Sequence, residues 1–204
     1  MDQNSRKQPY HHGGLYEALV AAGSEILAEG DLEKFTLREC ARRAGVSHAA
    51  PRNHFSSIDV LKSEIGARGF DQLVSELGAA ADAAPSQSPE ARLVAMGQAY
   101  VSFARHSPAV YLMMFRDSRE LEATPHYCRA ADASWAQING AVAAVVGPEH
   151  QDAQPYAAHA WALVHGFASL IIDGRLSPSL HTDAVITASL VAMASSLRDQ
   201  PVVT

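Results

Sequence analysis

The chain has 204 residues, 48% of them hydrophobic, and a formal net charge of −6. This length suits one medium domain, or a small domain fused to a larger one, and the apolar fraction is enough for a substantial core. The two cysteines, Cys40 and Cys128, form no CxxC pair and no metal-ligand spacing, which favours a reducing cytoplasm. We find neither an apolar signal segment nor a run of about 18 apolar residues, so we expect no membrane span.

Charge is distributed unevenly along the chain. Residues 1–70 hold nine Lys/Arg and nine Asp/Glu, whereas residues 71–204 hold seven and thirteen. Within residues 34–52 five side chains are basic and one is acidic. Such a window can bind phosphate locally, while an acidic remainder keeps that end of the protein towards a nucleic acid.

The first predicted elements are an arm and a helix. Residues 1–12 are basic, and Gly13-Gly14 after them disfavours regular structure, so we expect a flexible arm there. Such an arm is either a plain disordered tail or a segment that follows phosphates or enters the minor groove. Apolar residues at helical spacing predict a helix over residues 15–29, with Gly30 at its end.

Residues 36–55 read as two short helices separated by a glycine. Thr36 followed by Glu39 resembles a capping box, and Gly45 suits the left-handed backbone that ends a helix. Ser47 can cap a second helix that runs to about His54. The pattern predicts a helix-turn-helix whose second helix fits the major groove of B-DNA. An ordinary helical hairpin without a DNA-binding role is the alternative. The excess of basic residues at positions 34–52 favours the DNA-binding interpretation.

The remaining elements are also helical. Ser57 can cap a long helix that runs to about Asp82 and leaves the head for the body. No strand or hairpin pattern stands out, so we predict an all-α fold of about nine helices. Residues 13–60 are the expected DNA-binding head, and residues 61–204 are the expected helical ligand-binding and dimerisation body. Further helices are predicted over residues 90–106, 109–115, 124–146, 153–176 and 182–198.

Residues 10–75 resemble the TetR family of bacterial transcriptional regulators. The resemblance rests on the opening helix, on Thr36-Leu-Arg-Glu with the run from Ala41 to Pro51, and on His54-Phe55 followed by Leu61. Further along, Trp161-Ala-Leu-Val-His-Gly166 looks like the Trp-x3-His-Gly signature of one C-terminal subgroup.

The resemblance implies an omega-shaped, all-α homodimer. Three N-terminal helices would form each head, and the third would lie in the major groove of a pseudo-palindromic double-stranded DNA operator. The last two helices of each protomer would build a four-helix dimer interface. A small-molecule effector bound in the body would shift the heads and release the DNA, so the implied action is repression.

The sequence departs from the common family pattern beside its predicted DNA-reading helix. Where Tyr-Arg commonly follows the proline, Arg52-Asn53 stands here, and Ile58 replaces a lysine that often contacts the backbone. Lys62 lies one turn later and can substitute for that lysine. Arginine suits guanine and asparagine suits adenine, so this pair is a candidate for base contacts. The predicted DNA-binding residues are Thr36, Arg38, Ser47, His48, Ala49, Arg52, Asn53, His54 and Lys62.

An effector pocket is expected in the body. Methionine and aromatic side chains fill adaptable apolar cavities, although the same residues also build plain cores. No buried lysine or arginine stands out to match an anion, so an apolar or aromatic effector is expected. Trp161 and His165 share a helix face, and we favour packing in the core or at the dimer interface over ligand contact for them. The candidates are Phe103, Tyr111, Met113, Met114, Phe115, Tyr127, Trp135, Trp161 and His165.

Other function classes receive little support from the sequence. No HExxH, CxxC or His-x3-His pattern predicts a metal site, and no glycine-rich phosphate loop or Gly-x-Ser-x-Gly elbow predicts an enzyme or a cofactor. A second hypothesis is a helical small-molecule-binding protein that has lost or altered its DNA reading. The unusual Arg52-Asn53 pair and Ile58 motivate that alternative.

Overall fold

The computed structural model describes residues 12–30, 32–115, 123–147 and 153–198. Within these ranges all regular structure is helical, which confirms the predicted all-α class. Apart from His12, the predicted arm of residues 1–12 lies outside them. None of the described helices combines the length and apolarity that a membrane crossing requires. The helices are α1 (His12–Ala28), α2 (Leu37–Arg43), α3 (Ile58–Asp82), α4 (Pro89–His106), α5 (Pro108–Phe115), α6 (Pro125–Val146), α7 (Gln154–Ile172) and α8 (Asp183–Arg198), with short 3-10 helices at Leu32–Lys34 and Ala50–Asn53.

Most predicted helix ends are confirmed by their caps. The Ser57 hydroxyl accepts a hydrogen bond from the Val60 N–H at 3.2 Å and starts α3. The Thr124 hydroxyl does the same for α6, which carries Pro125 in its first turn. Gly45 has a φ of 67°, in the left-handed region that the predicted end of α2 requires.

Two helix boundaries differ from the predictions. Helix α1 begins at His12 and includes Gly13-Gly14, because a glycine in a helix costs only about 1 kcal/mol and does not by itself prevent a further turn. Helix α7 ends at Ile172, four residues before the predicted end. There Gly174 has a φ of 62°, its N–H donates to the Ile171 carbonyl, and the next N–H donates to the Leu170 carbonyl. This pair of bonds is a Schellman motif, which closes a helix at glycine.

Helix α3 joins two hydrophobic cores. Its first turns contribute Leu61 and Ile65 to the head core, where they meet α1, α2 and Phe55. Its later turns contribute Leu73 and Leu77 to the body core, which is otherwise built from α4, α5, α6, α7 and α8. This helix of 25 residues therefore runs through both cores, and Met113 of α5 adds a second contact between the body and the head core.

Glycines on α3 let the body helices approach it closely. A Cβ on Gly66 would lie 3.0 Å from the Tyr127 ring of α6. A Cβ on Gly69 would lie 2.7 Å from both Met114 Sδ and Val110 Cγ1 of α5. The absence of side chains at these two positions thus fixes the distance between α3 and the walls of the body.

Gly69→Ala is expected to destabilise the protein by about 1–3 kcal/mol, because the added methyl overpacks against Val110 and Met114. Gly140→Ala is the matched control, since a Cβ on that helical glycine meets nothing within 4 Å. The control should be neutral or gain up to about 1 kcal/mol from helix propensity. Urea unfolding at one protein concentration measures both variants, and equal stabilities would contradict the close approach.

Candidate functional site

The second element of the helix-turn-helix is shorter and tighter than predicted. Instead of an α-helix from Ser47 to His54, residues Ala50–Asn53 form a 3-10 helix without a side-chain cap. Pro51 explains this difference, because it has no N–H to donate to the Ser47 carbonyl four residues back. That carbonyl accepts from the Ala50 N–H at 3.0 Å, three residues on.

Most of the predicted DNA-binding side chains are exposed on the surface of the helix-turn-helix. Cys40, Pro51 and Phe55 are buried and anchor the two elements from below. A groove in this surface is lined by Lys34, Thr36, Arg38, Glu39, Arg42 and His48. The exposed predicted residues, here named the head surface, are Thr36, Arg38, Ser47, His48, Ala49, Arg52 and Asn53.

Glu39 acts differently from the predicted capping box. The Thr36 hydroxyl does accept from the Glu39 N–H at 3.2 Å, so the cap itself is confirmed. The Glu39 carboxylate, however, accepts from Arg42 at 2.6 and 2.7 Å and from Arg43 at 3.1 Å. Hydrogen bonds from Arg42, and next from Arg43, lower the pKa of Glu39 to about 2. Two arginines bind the carboxylate, and this attraction draws it away from the backbone.

Ion pairs fix the orientation of α2 on α1. The Arg43 guanidinium donates to both carboxylate oxygens of Glu29 at 2.6 Å. This bidentate pair joins the last turn of α2 to the end of α1. Arg43 therefore holds the head together, and Arg38 and Arg42 remain exposed beside the groove.

The last two predicted DNA-binding residues are only half-exposed. His54 packs edge-on against Tyr16, with 6.2 Å between ring centroids. The Lys62 ammonium lies 3.3 Å from the Asp59 carboxylate, one turn earlier on α3. Both residues border the head surface, and both already have partners within the chain.

The body contains an aromatic cavity between α3, α5, α6 and α7. It encloses about 690 Å³, counted together with its opening to solvent. Trp161 and Ile138 also line a second, narrower and almost wholly apolar cavity beside it, between α3, α4, α6, α7 and α8. The first cavity, here named the body cavity, is lined by Phe70, Met114, Phe115, Tyr127, Ala131, Ser134, Trp135, Ile138 and Trp161.

Five of the predicted effector residues line the body cavity: Met114, Phe115, Tyr127, Trp135 and Trp161. Met113 does not, because α5 turns its side chain into the head core. Phe103 is buried in the body core and lines neither of these two cavities. Met113 and Met114 are adjacent in sequence but lie on opposite sides of α5, one in the head core and the other at the body cavity. The sequence alone does not reveal this difference.

His165 lies behind the cavity wall, in a chain of polar groups. Its Nδ1 is 2.8 Å from the Tyr111 hydroxyl and 3.0 Å from the Tyr100 hydroxyl. The Trp161 indole N–H donates to the Tyr100 hydroxyl at 3.3 Å. Burial raises the pKa of Tyr100 far above its ordinary value, so this hydroxyl stays protonated. His165 thus packs behind Trp161, whereas Trp161 itself lines the body cavity. The preference for packing over ligand contact at these two residues stays a prediction.

Sequence reasoning missed four residues of the body cavity: Phe70, Ala131, Ser134 and Ile138. Ser134 and Ile138 are four apart on α6 and share a face with Ala131, which is a signal that was available. Within the described ranges, no three His, Cys, Asp or Glu side chains are grouped as a metal site.

A buried carboxylate links the head to the body. Glu64 of α3 accepts from the Arg68 guanidinium at 3.1 Å and lies 3.0 Å from His126 Nδ1 of α6. Arg68 in turn donates to both carboxylate oxygens of Glu17 on α1, at 2.6 and 2.8 Å. His126 is adjacent in sequence to Tyr127, which lines the cavity. The chain of contacts thus runs from the cavity wall to the first helix of the head.

Tyr16 extends this chain to the head surface. Burial, and next the neighbouring Glu64 carboxylate, raise the pKa of Tyr16 to about 12. Its ring stacks on Phe55, with centroids 4.9 Å apart and planes 22° apart. Phe55 lies two residues after the 3-10 helix, so Tyr16 packs beside the element that carries Arg52 and Asn53.

Comparison with known protein families identifies the body. Residues 93–193 match the model of a family described as "Tetracyclin repressor-like, C-terminal domain". A curated relative, the uncharacterised HTH-type transcriptional regulator YobS of Bacillus subtilis, is 23% identical over 110 residues. That match covers 52% of this chain and 56% of the relative, so the chain spans about half the length of the relative.

Solved structures share the fold over nearly the whole chain. A protein of unknown function from Rhodococcus sp. RHA1 is 34% identical and has a TM-score of 0.79, covering 95% of this chain and 100% of that one. A regulatory protein of the tetR family from Rhodococcus RHA1 is 20% identical and has a TM-score of 0.64, covering 90% and 96%. At 20% identity, the second comparison shows a similarity of fold alone.

His126→Gln should reduce stability in a pH-dependent way. Both ring nitrogens of His126 face carboxylates, Glu64 at 3.0 Å and Asp71 at 2.8 Å, and these bonds raise the pKa of His126 above 6.5. The added stability is full below about pH 6.5 and is lost as the pH rises through the raised pKa.

Because His126 is partly exposed to solvent, we expect the substitution to lower the free energy of unfolding by only about 0.5–1 kcal/mol at pH 6, and by less at pH 9. Urea unfolding of the variant and of wild type at both pH values measures this difference. His106→Gln, at the exposed end of α4, is the matched control. A stability difference that is constant between pH 6 and pH 9 would contradict the charged pairing.

Proposed function

The chain belongs to the TetR family of transcriptional regulators, and we propose that it represses transcription by binding a pseudo-palindromic operator as a homodimer. A small apolar or aromatic effector in the body would release the DNA. On the same basis we propose that the protein acts in the cytoplasm, where operator DNA lies. Assignment to the Trp-x3-His-Gly subgroup stays a prediction.

The observation that carries the DNA proposal is the head surface. Arg38, Arg52 and Asn53 are exposed on it, whereas the apolar residues beneath them are buried. Arginine and asparagine have the paired hydrogen-bonding groups that recognise guanine and adenine in the major groove. The groove between Lys34, Arg42 and His48 supplies positive charge for the phosphate backbone.

The dimer interface is proposed to lie on α7 and α8. Leu170 is 41% exposed and Val191 is 49% exposed, although both are large apolar residues on regular helices. Around them α7 exposes Ala158 and Ala162, and α8 exposes other small residues. Small side chains allow helices to approach closely, and a two-fold axis would bring this patch onto itself in a second copy.

Release of DNA is proposed to act through α3. Phe70 of that helix lines the body cavity, and the Tyr127 wall touches α3 at Gly66. A ligand that displaces Tyr127 would also move His126 from its carboxylate partners. Because Glu64 holds Arg68 and Tyr16 as well, α3 and the head would shift together, and the spacing of the two heads in the dimer would change.

Arg52→Ala and His48→Ala should each weaken operator binding by about tenfold without disturbing the dimer. The probe is a duplex recovered by wild-type protein from a random pool, tested by gel shift. If Arg52 binds a phosphate, its loss should lower the slope of log K against log salt by about one. If Arg52 binds a base instead, its loss should weaken the preference for one base pair at one position of the operator.

Arg92→Ala is the matched control for these substitutions, because Arg92 bonds to Asp82 and Gln87 on the body. It should leave the gel shift unchanged. Wild-type affinity in both head variants would refute the assigned head surface. Failure of wild type to enrich any duplex would favour a helical ligand-binding protein without DNA reading.

Leu170→Asp should convert the dimer to monomer, because each protomer would bury an unpaired carboxylate in the interface. We expect the dimer dissociation constant to rise by about a hundredfold or more. Size-exclusion chromatography with light scattering measures the mass over a dilution series. Ala136→Asp, at an exposed site of α6, is the control and should stay dimeric. A dimeric Leu170→Asp variant would exclude this part of α7 from the interface.

A further inference from the structure

The walls of the body cavity are aromatic and uncharged. Five of its nine lining residues carry aromatic rings, and none of the nine carries a carboxylate, ammonium, guanidinium or imidazole group. A charged molecule that entered would lose hydration without gaining an opposite charge. The cavity therefore favours a neutral ligand.

The carboxylates next to the cavity are already occupied. Asp71 follows the lining residue Phe70, and Glu64 lies on the same helix. Both bond to His126, and Glu64 also bonds to Arg68. These pairings leave α3 without a free negative charge to offer a cationic ligand beside Phe70.

Ser134 and the indole N–H of Trp135 are the polar side-chain groups of the cavity wall for which the described residues supply no hydrogen bond. The Tyr127 hydroxyl donates to the Met114 carbonyl at 2.7 Å, and the Trp161 N–H donates to Tyr100. Ser134, by contrast, is only 5% exposed and lines the cavity. A serine hydroxyl can both donate and accept, so a ligand in the cavity can hydrogen-bond to Ser134.

The rings of the wall stand at steep angles to one another. The planes of Phe70 and Phe115 meet at 82°, those of Phe70 and Tyr127 at 80°, and those of Trp135 and Trp161 at 70°. Such a wall presents both faces and edges, which pack against a planar ring in stacked and edge-on geometry. Without the opening to solvent the cavity has a volume of about 300 Å³, which lies at the lower end of the range of small-molecule sites.

We infer that the body cavity binds a neutral, planar aromatic molecule whose hydroxyl or carbonyl group hydrogen-bonds to Ser134. The inference rests on the proposed function, since it names the chemical class of the effector. It adds an anchoring residue and excludes charged effectors. Trp135 supplies a flat apolar wall on the same helix, adjacent to the anchor.

Calorimetric titration of the full-length protein tests the ligand class. Four probes of one shape are compared: 2-naphthol, naphthalene, 2-naphthoate and 2-naphthyl-trimethylammonium. We expect 2-naphthol to bind most tightly, naphthalene about fivefold more weakly, and both charged probes at least about tenfold more weakly. Equal or tighter binding of either charged probe, or no binding of 2-naphthol, would overturn the inference.

Two variants test the anchor and the wall. Ser134→Ala should lose about fivefold in 2-naphthol affinity and nothing for naphthalene, because naphthalene has no group to bond. Trp135→Leu should weaken both probes by about tenfold. Ser189→Ala is the matched control, since its hydroxyl bonds within α8 to the Val185 carbonyl. Wild-type 2-naphthol affinity in folded Ser134→Ala, verified by thermal melting, would refute the anchor.

A gel shift with the selected duplex separates this inference from the proposed function. Binding of 2-naphthol that depends on Ser134 but leaves the DNA complex intact supports the ligand class and contradicts effector release. Release of the DNA by a charged probe, without release by 2-naphthol, supports effector release and refutes the neutral ligand.

Discussion

The buried carboxylate of Glu64 is the interaction on which the arrangement of the two parts depends. It is 6% exposed, and Arg68 of α3 and His126 of α6 bond to it. A buried charge is tolerated only when partners replace its hydration. Arg68 and His126 do so jointly, and Arg68 also bonds to Glu17 of α1. The contacts of Glu64 therefore run from α6 through α3 to the first helix of the head.

The same contacts explain why the cavity and the network adjoin. His126 and Tyr127 are consecutive at the start of α6, so one faces the carboxylates of α3 while the next lines the cavity. Gly66 and Gly69 permit this closeness, because a side chain at either position would push the walls away. Packed interiors respond to strain by shifting whole helices rather than by compressing. A ligand that moves Tyr127 would thus be felt at α3 within one turn of Glu64.

Some of the basic side chains of the head form ion pairs within the chain, and only the others remain exposed to solvent. Arg43 is used in the bond to Glu29, and Arg68 in the bond to Glu17, so neither is presented on the head surface. Arg38, Arg42 and Arg52 remain exposed. Counting basic residues in the sequence therefore overstates the charge available to phosphate. The surface that remains is small, which places more of the expected specificity on Arg52 and Asn53.

The sequence by itself determined the helical class, most helix ends and the position of the helix-turn-helix. These features follow from local chemistry: hydroxyl caps at Ser57 and Thr124, left-handed glycines, and apolar residues at helical spacing. Only the tertiary structure decided that Met113 belongs to the head core and Met114 to the cavity, or that Glu39 bonds to arginines instead of its own helix start. It also decided that Phe70 and Ser134 line the body cavity and that Glu64 bonds to His126 of α6. These outcomes depend on which elements meet across long separations in the chain, and local periodicity carries no information about such contacts.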